Sequence, residues 1–175
     1  MKRAADRSGL EASHAGVRVS DRYAVTPDPL DATRIASLVV SATCGALTTF
    51  VGLVRDHNAG RRVRWLDYEA YAPLAESTFA RIGQESAARW PSVQLAIHHR
   101  IGRIEIGQAS VVIAAASAHR GDAFRACRYA IERVKQIAPV WKHEHFEGGD
   151  VWIEGSTADP EDEAAREAAF ARACS

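Results

Sequence analysis

Apolar positions recur at steps of three and four in two long stretches of this chain and crowd together in several shorter ones. From Asp122 to Ala138, the residues Phe124, Cys127, Ile131, Val134 and Ala138 keep the spacing of one stripe on an α-helix, which Pro139 stops. A second helix follows Pro73, with Ala75, Phe79, Ile82, Ser86 and Trp90 on its inner face and Pro91 at its end. Asp31 is placed to cap a short helix through Ile35, Leu38 and Val39, and Asp159-Pro160-Glu161 to open a last one through Phe170. Strands are predicted over Val17–Ala24, Gly45–Val54, Val63–Tyr71, Val93–Ile101 and Ala109–Ala118, with Ile104 and Ile106 in a short edge piece before Gly107. Gly45–Val54 reads as buried on both faces, and the pattern leaves the buried face of Val63–Tyr71 open. Arg55 to Gly60 is a polar turn. Val140–Phe146 and Val151–Glu154 flank Glu147-Gly148-Gly149-Asp150, a hairpin signal. Strands and helices mix without strict alternation, so the class is α+β.

Composition narrows the picture only a little. The 175 residues fit one domain with a real core, and Lys plus Arg equals Asp plus Glu at 22 each. Overall charge therefore points to neither nucleic acid nor an anionic membrane, and any anion site must be local. Cys44, Cys127 and Cys174 are odd in number and far apart, which fits a reducing cytoplasm better than a disulfide framework. Residues 1–16 are polar and lack the apolar core of a secretory signal, so a disordered extension is expected there. No run approaches the roughly 20 apolar residues of a membrane helix.

Candidate chemistry centres on the stretch from Ser117 to Glu144. At about 100° per residue, Lys135 falls at the edge of the helix stripe, near the angular position of Phe124. A snorkelling lysine would occupy the same place. His119 and Arg120, where a strand turns into the helix, and Lys142, just past Pro139, change that balance. Arg55 stands likewise after a strand, where open sheets tend to bind ligands, and an arginine there grips a phosphate or carboxylate. If these segments fold to one side, they form a pocket for a small anion. His98-His99 and His143-x-His145 invite a metal reading, but spacing places no third ligand, and hydrogen-bonded histidines account for them as well. No phosphate loop and no nucleophile elbow occurs.

Several blocks in order resemble the catalytic (large) subunit of molybdopterin synthase. They are Gly45 to Asn58, Leu66 to Tyr71, His99-Arg100-Ile101-Gly102, Ser117-Ala118-His119-Arg120, Lys135 through Ala138-Pro139-Val140-Trp141-Lys142-His143-Glu144, and Gly149-Asp150-Val151-Trp152. Leu53 and Val140 depart from the residues common at those positions. The resemblance covers roughly residues 20 to 155, so residues 17–155 are the expected domain and 156–175 a helical tail. It implies an α/β hammerhead-like fold with an added antiparallel β subdomain. It also implies a homodimer within a heterotetramer, each large subunit receiving the C-terminal thiocarboxylate of a small ubiquitin-like sulfur carrier. The implied reaction puts sulfur into cyclic pyranopterin monophosphate to make the molybdopterin dithiolene, with no metal or organic cofactor. Lys135 and Lys142 are the catalytic positions so implied, with Arg55, His119, Arg120, His143 and Glu144 around the substrate. A non-catalytic module of the same fold, holding a phosphopterin, a nucleotide or a Gly-Gly tail, is the alternative.

Overall fold

The computed structural model describes residues 19–153, 155–156 and 158–175; the extension expected over 1–16 and the start of the first predicted strand lie outside them. A short 3-10 turn leads into β1 (Tyr23–Thr26), and α1 (Ala32–Ser37), β2 (Ala46–Leu53), β3 (His57–Asn58) and β4 (Arg61–Ala70) follow. The chain continues through α2 (Ala72–Arg89), β5 (Gln94–Arg100), β6 (Gly102–Glu105), β7 (Ala109–Ser117) and α3 (Arg120–Ile137). It closes with β8 (Val140–Phe146), β9 (Gly149–Ile153) and α4 (Glu163–Cys174).

Two sheets carry the architecture, and the class is α+β. The first has the order β1-β5-β7-β2, with β1 parallel to β5 and the other pairs antiparallel. The apolar run of β7 makes it the central strand, and both of its faces are covered. Val112, Ala114 and Ala116 meet Ile35 and Val39 of the α1 region, while Val111, Ile113 and Ala115 meet α2 and α3. Gly83 of α2 lets the sheet approach: a Cβ there would stand 1.9 Å from the Tyr23 hydroxyl of β1. The second sheet runs β3-β4-β8-β9, with β6 paired to β4, and has its own small core of Val54, Val63, Leu66 and Ile104.

Three expectations need correction. β2 is an edge strand whose exposure alternates along its length, so one face is open, with Leu47 at 46% and Leu53 at 59% exposure. Its Thr, Val and Phe content suits a strand without saying how many faces are covered. Phe124 is 62% exposed and lies off the buried face of α3, which includes Ala123, Ala126, Cys127, Ala130, Val134 and Ile137. Small residues let α3 lie close to the sheet, so the stripe is centred on alanines that a search for large apolar residues passes over. The last helix starts later than Asp159, because Asp162 is its cap and accepts from the Ala165 N–H at 3.1 Å.

A buried ion pair joins the helices. Arg133 of α3 is fully buried and grips Glu85 of α2 with two bonds of 3.0 Å; it also bonds the Gln136 side chain at 3.0 Å and the Pro160 carbonyl at 3.3 Å. The Tyr129 hydroxyl donates to the same Glu85 carboxylate at 2.7 Å, and its ring stacks on Phe170 of α4. Arg81 also bonds Glu85 at 3.2 Å, so it is the loss of Glu85 that strands a charge, the fully buried Arg133, at a cost of about 3–5 kcal/mol. Glu85→Gln is therefore expected to lower urea stability by that order, and Arg133→Met with Glu85→Gln to recover much of it. A single variant as stable as the parent would show that the pair does not hold the helices together.

Candidate functional site

The reversal at the end of α3 builds one side of the site. Ala138 has extended backbone and ends the helix, Pro139 follows, and β8 starts at Val140. Lys135 thus stands in the last helical turn, where a cation suits the helix dipole, and Lys142 stands on the strand that returns past it. Ser156 Oγ donates to the Ala138 carbonyl at 2.7 Å and fixes that corner. Arg55 arrives from the first sheet. It follows Val54, which is 3% exposed and hydrogen-bonded at both backbone groups to the loop at Gly107 and Gln108.

These three cations line one cavity of about 570 Å³ at the junction of the two sheets. Arg55 and Lys135 are exposed, Lys142 is half-buried and Glu144 is 1% exposed, so the cavity runs inward from solvent. On β8, side chains alternate between faces. Lys142 and Glu144 point into the cavity, alongside Tyr68 and Leu66, their partners on β4. His143 belongs to the opposite face and is not among the residues that line the cavity. It stacks on Trp152 at 4.4 Å and pairs with Asp150 at 2.8 Å, while His145 stacks on Trp65 and lies 2.8 Å from Asp67. Among the described residues, no group of three or more His, Cys, Asp or Glu side chains is placed to hold a metal ion.

His119 and Arg120 also fall elsewhere. Both are exposed at the start of α3, whereas Lys135 sits near its end. Fifteen residues of helix span roughly 23 Å at 1.5 Å each, so neither reaches the cavity of its own chain.

Burial acts on the groups that do line it. The pKa of Lys142 is lowered, first by desolvation and then by the charges of Arg55, Lys135 and Arg61, while Glu144 opposes the shift. Glu144 accepts from Asn58 Nδ2 at 2.8 Å and from Arg61 Nε at 3.2 Å. Neutral polar groups complete the lining. His99 is 5% exposed, donates from Nδ1 to the Arg100 carbonyl at 2.8 Å, and is pushed down to about 4 by burial, so it is uncharged near neutral pH. The Tyr68 hydroxyl bonds Ser110, and burial raises its pKa. Cations together with neutral donors and acceptors suit a ligand that has an anionic end and a polar, uncharged body.

Asn58, Arg61, Tyr68, His99 and Ser110 belong to the site without a local sequence pattern that marks them. For the lysines one plain signal exists. The chain has 22 basic residues, of which only Lys2, Lys135 and Lys142 are lysine, and two of those three share this cavity.

An α+β protein with a cationic cavity between two sheets is the class that these features define. A family model described as MoaE protein matches residues 25–137. The chain is 47% identical over 134 residues to the molybdopterin synthase catalytic subunit of Halalkalibacterium halodurans, covering 77% of this chain and 86% of that one. It is 46% identical to the Bacillus subtilis catalytic subunit, covering 76% and 85%. The crystal structure of molybdopterin synthase from Staphylococcus aureus superposes with a TM-score of 0.74 at 39% identity, covering 76% of this chain and 97% of that one. This chain belongs to the MoaE family, the catalytic subunits of molybdopterin synthase.

With only three lysines, the amines can be followed one by one after isotopic methylation. Lys142 is expected to titrate below the ordinary lysine value of 10.5, and Glu144→Gln to lower it further, because the carboxylate is what favours the charged amine. An unshifted Lys142 signal, or a rise in Glu144→Gln, would contradict the geometry.

Proposed function

We propose that this chain transfers sulfur from the C-terminal thiocarboxylate of a small ubiquitin-like partner to cyclic pyranopterin monophosphate, forming the molybdopterin dithiolene. One observation carries the reading: Arg55, Lys135 and Lys142, brought from separate elements, line a single solvent-open cavity. The substrate has a cyclic phosphate on an uncharged, polar ring system, and the incoming tail ends in a second anion. Arg55 is suited to the phosphate, since its planar fork matches paired oxygens. Lys135, at the mouth, is suited to meet the tail and to move a proton or stabilise the acyl intermediate as sulfur leaves. Lys142 has a lowered pKa, which suits proton transfer near neutral pH. The relatives' shared name, catalytic subunit, supports the expectation of a second kind of subunit. Three free cysteines suit a reducing, cytoplasmic setting. Among the described residues, no helix is long and apolar enough to cross a membrane.

A homodimer gives His119 and Arg120 a role that one chain cannot. Val51 and Leu53, exposed on the open edge strand β2, lie on the rim of the cavity. A second copy docked on that edge would cover apolar surface and bring its own groups beside the site. In this reading the His119 and Arg120 of one chain serve the cavity of the other. A non-catalytic binding module remains the competing reading, and the pairing of two scarce lysines in one cavity favours the enzyme.

The test is turnover with a thiocarboxylated small subunit and cyclic pyranopterin monophosphate. Lys135→Ala is expected to lose about 10²-fold or more in rate while keeping its fold, the scale of a lost acid–base group. A variant with parental turnover removes Lys135 from the chemistry. Arg120→Ala and Lys135→Ala chains, tagged differently and purified as a mixed dimer, are expected to regain about half of parental activity, since one cavity of the two is then intact. A mixed dimer as inactive as either parent would overturn the exchange of residues between chains.

A further inference from the structure

We propose that Asn58 is a positioning residue that keeps Arg55 available to the substrate's anion by holding it off the buried carboxylate of Glu144. The inference rests on the functional reading above and names a residue that the reading does not use. Asn58 ends β3, and a two-residue turn of Ala59 and Gly60, both with positive φ, pairs it with Arg61 of β4. The two residues flanking that turn take the two oxygens of Glu144: Asn58 Nδ2 donates to Oε2 at 2.8 Å and Arg61 Nε to Oε1 at 3.2 Å. The tip of the hairpin therefore clasps a carboxylate that is 1% exposed.

The other end of the same amide faces Arg55, whose Nη2 donates to Asn58 Oδ1 at 3.2 Å. Only one orientation of the amide satisfies both neighbours, because a guanidinium cannot accept and a carboxylate cannot donate. Asn58 is thus a neutral spacer with its dipole aligned between a cation and an anion. Without it, Glu144 would present a vacated oxygen to the guanidinium, and a charge-assisted pair between them is the strongest bond available to either. Arg55 would then turn from the cavity towards the strand. An aspartate at 58 would bind Arg55 itself and repel Glu144, so a neutral amide is the side chain that serves both ends.

The test is a double-mutant cycle on the full chain, assayed with the small subunit and cyclic pyranopterin monophosphate. Asn58→Ala is expected to raise KM about tenfold, the scale of one charge-assisted hydrogen bond, with kcat within about threefold of the parent. Measured against Glu144→Gln alone, adding Asn58→Ala should raise KM little, because no carboxylate is left to capture Arg55. A merely structural role for Asn58 predicts the same tenfold loss in the Glu144→Gln background, and that result overturns the proposal. So does an unchanged KM in Asn58→Ala. Parental turnover in the same assay tests the functional reading separately. Calorimetric titration with inorganic pyrophosphate needs no reaction and repeats the comparison: about tenfold weaker binding in Asn58→Ala than in the parent, and little change when Asn58→Ala is added to Glu144→Gln. Equal binding by all the proteins refutes the spacer whether or not sulfur is transferred.

Discussion

A carboxylate hidden from water among four cations is the constraint on which this site depends. Glu144 is 1% exposed, and a charge buried to that degree must be compensated by hydrogen bonds and opposite charge. Asn58 and Arg61 supply the hydrogen bonds, and Lys142 interacts with the carboxylate through its charge. The dependence also runs the other way. The charges of Arg55, Lys135 and Arg61 each disfavour the charged form of Lys142, and the one fixed negative charge of Glu144 opposes them. The site is thus pre-arranged for a further anion without being neutralised by its own residues.

The fold serves that arrangement by passing the chain from one sheet directly into the core of the other. Val54 belongs to the small core of the second sheet although it directly follows a strand of the first, so Arg55 is carried across the junction. The turn at Ala138 and Pro139 returns the chain so that the ends of α3 and β8 face each other. On its outer face, the second sheet is held by stacked rings, with Arg103 over Trp65 at 4.1 Å, Trp65 on His145, and His143 on Trp152. That ladder fixes the strand that carries Lys142 and Glu144, so the outward histidines and the inward charges are two consequences of one alternation.

Much of this is legible in the sequence. Periodicity locates α2 and the body of α3, Arg55 and Lys142 stand just beyond element ends, and Lys135 stands at the edge of the helix stripe. What one chain does not bring together has physical causes. His143 neighbours Lys142 and Glu144 in sequence, but a strand sends neighbours to opposite faces. His119 and Arg120 share a helix with Lys135, but a helix of 18 residues separates its two ends. Asn58 lies within a polar turn that carries no signal of its own. What makes it notable is the turn geometry that sets it opposite Arg61, and a carboxylate 86 positions along the chain. Contacts of that range leave no trace in local pattern.

The most direct measurement of the central claim is a crystal structure of the chain with cyclic pyranopterin monophosphate bound. The account predicts the phosphate in the cavity between the sheets, within hydrogen-bonding distance of Arg55 and near one of the two lysines, with Asn58 still bridging Arg55 and Glu144. Substrate bound on another surface, with the cavity empty and Arg55 folded onto Glu144, would contradict it.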